Sequence, residues 1–276
     1  MEKKSFIICC TVKNEAKTLK KFFRTLNNLI KNIENYFIIF VLSDSYDDSK
    51  NLIVNFLKNK KGILLEKNFK NEIGRFAKLE TCRNFYLEYI SNDEELSKFT
   101  YMLVLDVDGV NNLLNYRKLN QSIQKESWNG IFASQKLFYY DIFALRKKKY
   151  LETDCFKKLK SEIKISSYFN YKNIFYDNIS KFFFIKKHFK VRYISVDSAF
   201  GGCGIYKLKT CLNYRYNSKN NEVCEHVGFN EQISKNFGGL YIDTSLTNSY
   251  GLNLHTINGL LCSISSFMVK RFIKRI

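Results

Sequence analysis

The chain has 276 residues, 45% hydrophobic and 16% aromatic, which excludes a disordered protein and allows a substantial core. Lys and Arg number 45 against 26 Asp and Glu, a formal charge of +19, which suits a polyphosphate ligand, an anionic lipid surface or a nucleic acid. No Pro occurs, and the abundance of Lys, Asn, Ile, Phe and Tyr is also what AT-rich coding gives.

Residues 5–12 (SFIICCTV) are a short continuous apolar run, the pattern of a buried parallel strand. From Lys17 to Ile33 the apolar residues Leu19, Phe22, Phe23, Leu26, Leu29, Ile30 and Ile33 recur at helical spacing. Residues 36–42 (YFIIFVL) read as a second strand, followed by Asp44 and by Asp47, Asp48 and Ser49, which suit the cap of a helix running to Leu57. A third strand at 63–66, a helix at 74–90 and a fourth strand at 101–105 (YMLVL) follow, the last ending in Asp106-Val107-Asp108-Gly109. Strand–helix alternation of this kind predicts an open, mostly parallel α/β sheet flanked by helices, which binds ligands at the carboxyl ends of its strands. The second half is less regular and predicts an irregular α+β region: extended segments at 128–134 and 139–145, a basic aromatic helical stretch at 155–190, a strand at 191–196, a helix at 225–237 and a short strand at 240–243. The tail, 261–276, alternates apolar with basic residues, as a helix lying on a membrane surface does, and equally as a helix packed on the domain.

The acids at strand ends carry the chemistry. Asp106 and Asp108, one residue apart after a buried strand, can share Mn²⁺ or Mg²⁺ through oxygen ligands and so hold a diphosphate. Asp44 occupies the same kind of position after the second strand and can accept hydrogen bonds from a base or ribose. Arg75 and Lys78, three apart on one helix with Arg83-Asn84 further along, offer cations to phosphates. The loop after 191–196 brings Asp197 and the pair Gly201-Gly202, which lets backbone approach a ligand. Glu225, before a helix, is a candidate general base, with Asp197 a second candidate catalytic carboxylate. His255 is a candidate late metal ligand; with only three His in the chain a three-His zinc site is not expected.

Taken together these segments resemble the GT-A glycosyltransferases: Val12-Lys13-Asn14-Glu15 after the first strand, Asp44, the basic helix with Arg75 and Arg83-Asn84, and Asp106–Asp108. Residues 139–146 (YYDIFALR), Phe200-Gly201-Gly202 and Cys224-Glu225-His226 are similar to pieces of the capsule-associated α-mannosyltransferase-like branch, and the likeness runs from residue 5 to about 245. The resemblance implies a GT-A, Rossmann-like fold, Asp44 at the nucleotide, Asp106 and Asp108 on the metal, Asp141 and Arg146 near the donor sugar, Glu225 by the acceptor and His255 as a further metal ligand. The branch suggests retention of configuration, which requires no enzymic base and so counts against Glu225 in that role, while the wider family leaves inversion or retention open.

The expectation is one domain over 1–276, with a nucleotide-binding half at 1–110, an acceptor-side half at 111–260 and the basic tail. It would transfer sugar from a nucleoside-diphosphate sugar to a hydroxyl of a glycan or lipid-linked glycan. A nucleotidyltransferase is the first rival, but residues 9–16 hold no glycine-rich phosphate loop. A non-catalytic nucleic-acid binder is the second, and it leaves the strand-end acids without a role. No C-x-x-C pair, signal peptide or apolar run of about 18 residues is seen, so reduced thiols and a cytoplasmic protein, peripheral on a membrane at most through its tail, are expected.

Overall fold

The computed structural model describes residues 4–69, 73–252 and 254–273, without the side chains of 254, 255, 271 and 273. The first half alternates β1 (Ser5–Val12), α1 (Ala16–Ile30), β2 (Asn35–Ser43), α2 (Ser49–Leu57), β3 (Gly62–Lys67), α3 (Arg75–Ser91) and β4 (Tyr101–Leu105). The second half adds α4 (Tyr116–Ser122), β5 (Gly130–Gln135), α5 (Cys155–Lys164), α6 (Tyr171–Asn178), α7 (Ile185–Phe189), β6 (Tyr193–Ser195), β7 (Cys203–Lys207), α8 (Leu208–Cys211), α9 (Glu225–Phe237), β8 (Leu240–Ser249), α10 (Leu254–Cys262) and α11 (Ser266–Ile273).

All strands join one sheet of order β3-β2-β1-β4-β7-β5-β8-β6. The run β3-β2-β1-β4 is parallel, β7 lies antiparallel between β4 and β5, β8 is parallel to β5, and β6 closes the edge antiparallel. Strand periodicity explains why the central strands read as unbroken apolar runs. Ile7 and Cys9 of β1 enter one core with Tyr86 and Leu87 of α3, while Phe6, Ile8, Cys10 and Val12 enter the other with Leu19, Phe22 and Leu26 of α1. Helices α1, α2 and α4 thus cover one face, and α3, α9 and the helices of residues 155–190 and 254–273 contribute to the other.

Four sequence expectations change. Residues 139–145 form no strand: Tyr139, Ile142, Ala144 and Leu145 are buried, but Tyr139 N–H bonds Phe183 O (2.9 Å) and the chain turns at Ile142–Ala144. The glycine loop leads into a true strand, β7, hidden in the sequence by its length of five residues and by Gly204. Helix α4 was not anticipated; it buries only Leu119 and Ser122, and its legible mark is Asn115, whose side chain caps Lys118 N–H at 3.0 Å. Strand β8 runs on to Ser249 through shifts of register against β5, whereas the expected strand at 191–196 is only the three-residue β6. No helix among the described residues is long and apolar enough to cross a membrane.

Candidate active site

The carboxyl ends of β1, β2 and β4 and the amino end of β7 meet at one edge of the sheet, because β7 runs opposite to β4. The backbone leaves this edge through left-handed residues: Asn14 (φ 55°), Asp44 (φ 42°), Gly109 (φ 92°), Gly201 (φ 66°) and Gly202 (φ 78°). The two non-glycine positions are held by their own side chains. Asn14 Oδ1 accepts Tyr46 N–H at 3.0 Å, and Asp44 Oδ1 accepts Phe69 N–H at 2.9 Å. Asp47 accepts from Ser49 N–H (3.0 Å) and Ala16 N–H (2.9 Å), so it ties α2 to the start of α1.

A cavity of about 720 Å³ opens there, lined among others by Lys13, Glu15, Arg75, Lys78, Arg83, Asp106, Asp108, Tyr140, Asp141, Glu225 and His226. Its acids crowd one another. Burial pushes Asp106 up to about 7, with the charges of Asp108, Asp141 and Glu225 adding and Arg83 opposing. Asp141 is pushed up to about 6, chiefly by burial, against the N–H groups of Gly201 (2.9 Å) and Ala144 (3.4 Å) that it accepts from. Burial also raises Asp108, opposed by Val110 N–H and Arg75, and raises Glu15, opposed by Thr18 and reinforced by Asp108. Carboxylates raised by burial and by like charge are a site that gains from a cation.

Arg83 on α3 is the buried hub. Its Nε donates to Glu225 Oε1 at 3.0 Å and its Nη2 reaches Asp106 Oδ1 at 3.4 Å. The guanidinium sits over the rings of Phe200 (5.2 Å) and Tyr216 (5.7 Å). His226 stacks on Phe200 at 3.8 Å, and burial, aided by the Arg83 charge, holds it well below its ordinary pKa, so the ring is neutral. Arg83 Nη1 and both His226 ring nitrogens have no hydrogen-bond partner among the described residues. Lys78 extends to Asp44 Oδ2 at 2.8 Å and lies over the Phe69 ring, while Arg75 lines the cavity one turn earlier.

Beneath the acids lies an amide network. Asp106 N–H donates to Gly202 O at 2.9 Å. Asn111 Nδ2 bonds both Asp106 O and Gly202 O at 2.8 Å, Asn248 Nδ2 bonds Asn111 Oδ1 (2.9 Å) and Gly201 O (2.8 Å), and Gln135 Nε2 bonds Gly201 O (3.1 Å) and Asn248 Oδ1 (3.0 Å). Gly201 and Gly202 therefore act through backbone on Asp141 and Asp106 and do not line the cavity. A Cβ on Gly201 would stand 2.5 Å from Ala133 O, and one on Gly202 would stand 2.4 Å from Val110 Cγ1. The sequence reading missed Tyr140, Asn111, Gln135 and Asn248, whose partners lie up to 137 residues away and leave no local pattern.

Two expected site residues are placed elsewhere. Arg146 is buried, with Nη1 donating to Phe143 O (3.1 Å) and Leu145 O (2.7 Å) and Nη2 3.8 Å from Asp154. Asp197 accepts Lys148 N–H at 2.8 Å and lies with Arg146 at a separate cavity of about 500 Å³. The reason is a short bridge between Arg146 and Ser198, which fixes Asp197 before the chain crosses to Gly201. His255 sits in the first turn of α10, and its side chain lies outside the described residues.

Among the described residues no group of three or more His, Cys, Asp or Glu is arranged to hold a metal. The Asp106–Asp108 pair still fits one, since a small hard cation commonly takes one or two carboxylates and completes its shell with substrate phosphate and water.

No family matches the chain by sequence, and no curated protein does. Solved structures match it in shape. It is similar to the mannosyltransferase PcManGT from Pyrobaculum calidifontis, in complex with GDP-Man and Mn²⁺, at TM-score 0.57 and 7% identity, over 94% of this chain and 60% of that one. It is also similar to residues 1–349 of TarS from S. aureus, at TM-score 0.51 and 12% identity over 98% and 64%, and to the same fragment with UDP-GlcNAc, at 0.50 and 13% over 92% and 60%. The chain thus spans under two thirds of the length of these proteins. The likeness establishes the fold, the Rossmann-like GT-A sheet; the capsule-associated branch is not among these matches.

Proposed function

We propose that this chain transfers a sugar from a nucleoside-diphosphate sugar to a hydroxyl group, with a divalent cation at Asp106 and Asp108. One observation carries the proposal: two carboxylates raised by burial at the end of β4 share a cavity with Arg75 and Lys78 at the ligand-binding edge of the sheet. The structural likeness to a mannosyltransferase bound to GDP-Man and Mn²⁺ and to TarS bound to UDP-GlcNAc agrees with it.

Arg75 and Lys78 draw the diphosphate in and orient it. Asp44 fixes Lys78 from beside the cavity, where a ribose or base would lie. A bound Mg²⁺ or Mn²⁺ supplies charge neutralisation for the departing diphosphate. Asp141, held by Gly201 N–H, borders the donor sugar. Glu225, oriented by Arg83, stands on the acceptor side as the candidate base. The acceptor is a glycan or lipid-linked glycan hydroxyl, and the apolar wall of Phe76 and Phe143 suits the face of a sugar ring.

A thermal-shift panel of nucleoside-diphosphate sugars with and without Mn²⁺ tests the reading. Stabilisation by one donor only with metal, lost in Asp108→Asn, supports it. A shift indifferent to metal and unchanged in that variant contradicts it.

A further inference from the structure

The helices that cover one face of the sheet leave apolar side chains in the open. Ile165 at the end of α5, Phe169 in the 3-10 turn Tyr168–Asn170, Ile264 between α10 and α11, and Phe267 on α11 are 87, 82, 73 and 62% exposed. They belong to one region: α11 packs on α6 and on the 3-10 turn, and α10 packs on α6 and α11. Lys270 Nζ lies 5.9 Å from the centre of the Tyr168 ring, and Phe267 is three residues from Lys270 on the same helix. Exposed Lys164, Lys172 and Lys270 stand among these residues. Residues 155–190 carry nine Lys against two acids, and no acid follows Asp243.

We infer that this face docks on an anionic lipid surface. Single apolar side chains protruding among ammonium groups are what a peripheral protein inserts at the headgroup boundary, the apolar part entering the acyl edge and the lysines meeting anionic headgroups. A second copy of this chain is a poor occupant, because the same lysines would face each other. A single-stranded nucleic acid stacks on flat rings, whereas Ile165 and Ile264, among the four most exposed here, offer none. The face also connects to the cavity. Phe76 and Phe143 line the cavity 6.1 Å apart, Phe143 stacks on Phe156 at 4.3 Å, and Phe156 stacks on Phe272 of α11 at 6.4 Å. The docking does not rest on the transferase reading.

The test is co-sedimentation of the full chain with phosphatidylcholine vesicles, with and without phosphatidylglycerol, at low and high salt. Binding to the anionic vesicles alone, weakened by salt, is expected. Phe169→Ser with Phe267→Ser should weaken it at least about tenfold, since each ring loses its apolar burial. Lys164→Gln, Lys172→Gln and Lys270→Gln together should cost about fivefold for each charge. All five positions are exposed, so the fold, followed by circular dichroism, stays intact. Asp106→Asn keeps vesicle binding, which separates failure of this inference from failure of the transferase reading. Absent binding, or equal binding to both vesicle types, overturns the inference, as does a self-association or an oligonucleotide affinity lost in these variants without any vesicle binding.

Discussion

Replacing Asp106 by Asn should stabilise the metal-free protein at neutral pH while abolishing its response to metal. The carboxyl is raised from 3.8 to about 7, first by burial and then by Asp108. A raised folded pKa means that the folded state binds the proton more tightly than the unfolded chain. The stabilisation from protonation is therefore complete below the unfolded value near 4, and it is lost as pH rises through about 7. A shift of about three units corresponds to about 4 kcal/mol at 1.36 kcal/mol per unit. The side chain is 28% exposed into the cavity and titrates together with Asp108, so about 1–3 kcal/mol is the share expected at pH 8. Asn carries no charge to desolvate, and at about 2–4 °C per kcal/mol its Tm should exceed that of the parent by about 2–12 °C. Melting curves from pH 4 to 8, in chelator and then in Mn²⁺, measure this. The parent should lose stability with pH in chelator and regain it in Mn²⁺; the variant should lose less, the remainder coming from Asp141, Asp108 and Glu15, and should gain nothing from Mn²⁺. A variant less stable than the parent at pH 8, with the parent's pH profile unchanged, refutes the electrostatic account of the site.

Arg83→Met leaves Glu225 and Asp106 without their buried cation and should cost about 3–5 kcal/mol, read by urea denaturation; Glu225→Gln in the same chain should recover part of it. Glu225→Gln alone, if the residue is the base, should lower kcat by about 10²-fold or more with little change in donor KM. Gly202→Ala puts a methyl 2.4 Å from Val110 Cγ1 at φ 78° and should cost at least about 1–2 kcal/mol while displacing the carbonyl that receives Asp106 N–H. Its activity loss should then exceed its loss of fold as followed by circular dichroism.

Strands β1, β2 and β4 are legible because they are largely buried on both faces and so read as unbroken apolar runs, and α1 because it carries one apolar stripe. The strand-end acids were legible for the same reason: Asp44, Asp106 and Asp108 each follow an apolar run, and the sheet delivers them to one edge. What the sequence hid depends on distant partners. Arg83 looks like one more cation on a basic helix until α9 brings Glu225 against it, 142 residues later. Strand β7 is short and reads as a glycine loop, yet with Asn111 it sets Gly202 beneath Asp106. Residues 139–145 read as extended because they are mostly apolar, but their backbone bonds lead to Phe183 and Gln135, and the resulting turn is what brings Asp141 to the cavity. The family resemblance places Arg146, and the glycine loop places Asp197, at the site, but the bridge at Ser198 holds both at another cavity.

The pair at the end of β4 is best tested by anomalous diffraction at the manganese edge, from crystals grown with Mn²⁺ and a nucleoside diphosphate. The account predicts one strong peak touching Asp106 and Asp108, with the diphosphate on its far side and Arg75 and Lys78 beside the phosphates. A peak elsewhere, or a diphosphate ordered in the cavity with no manganese against either aspartate, contradicts it.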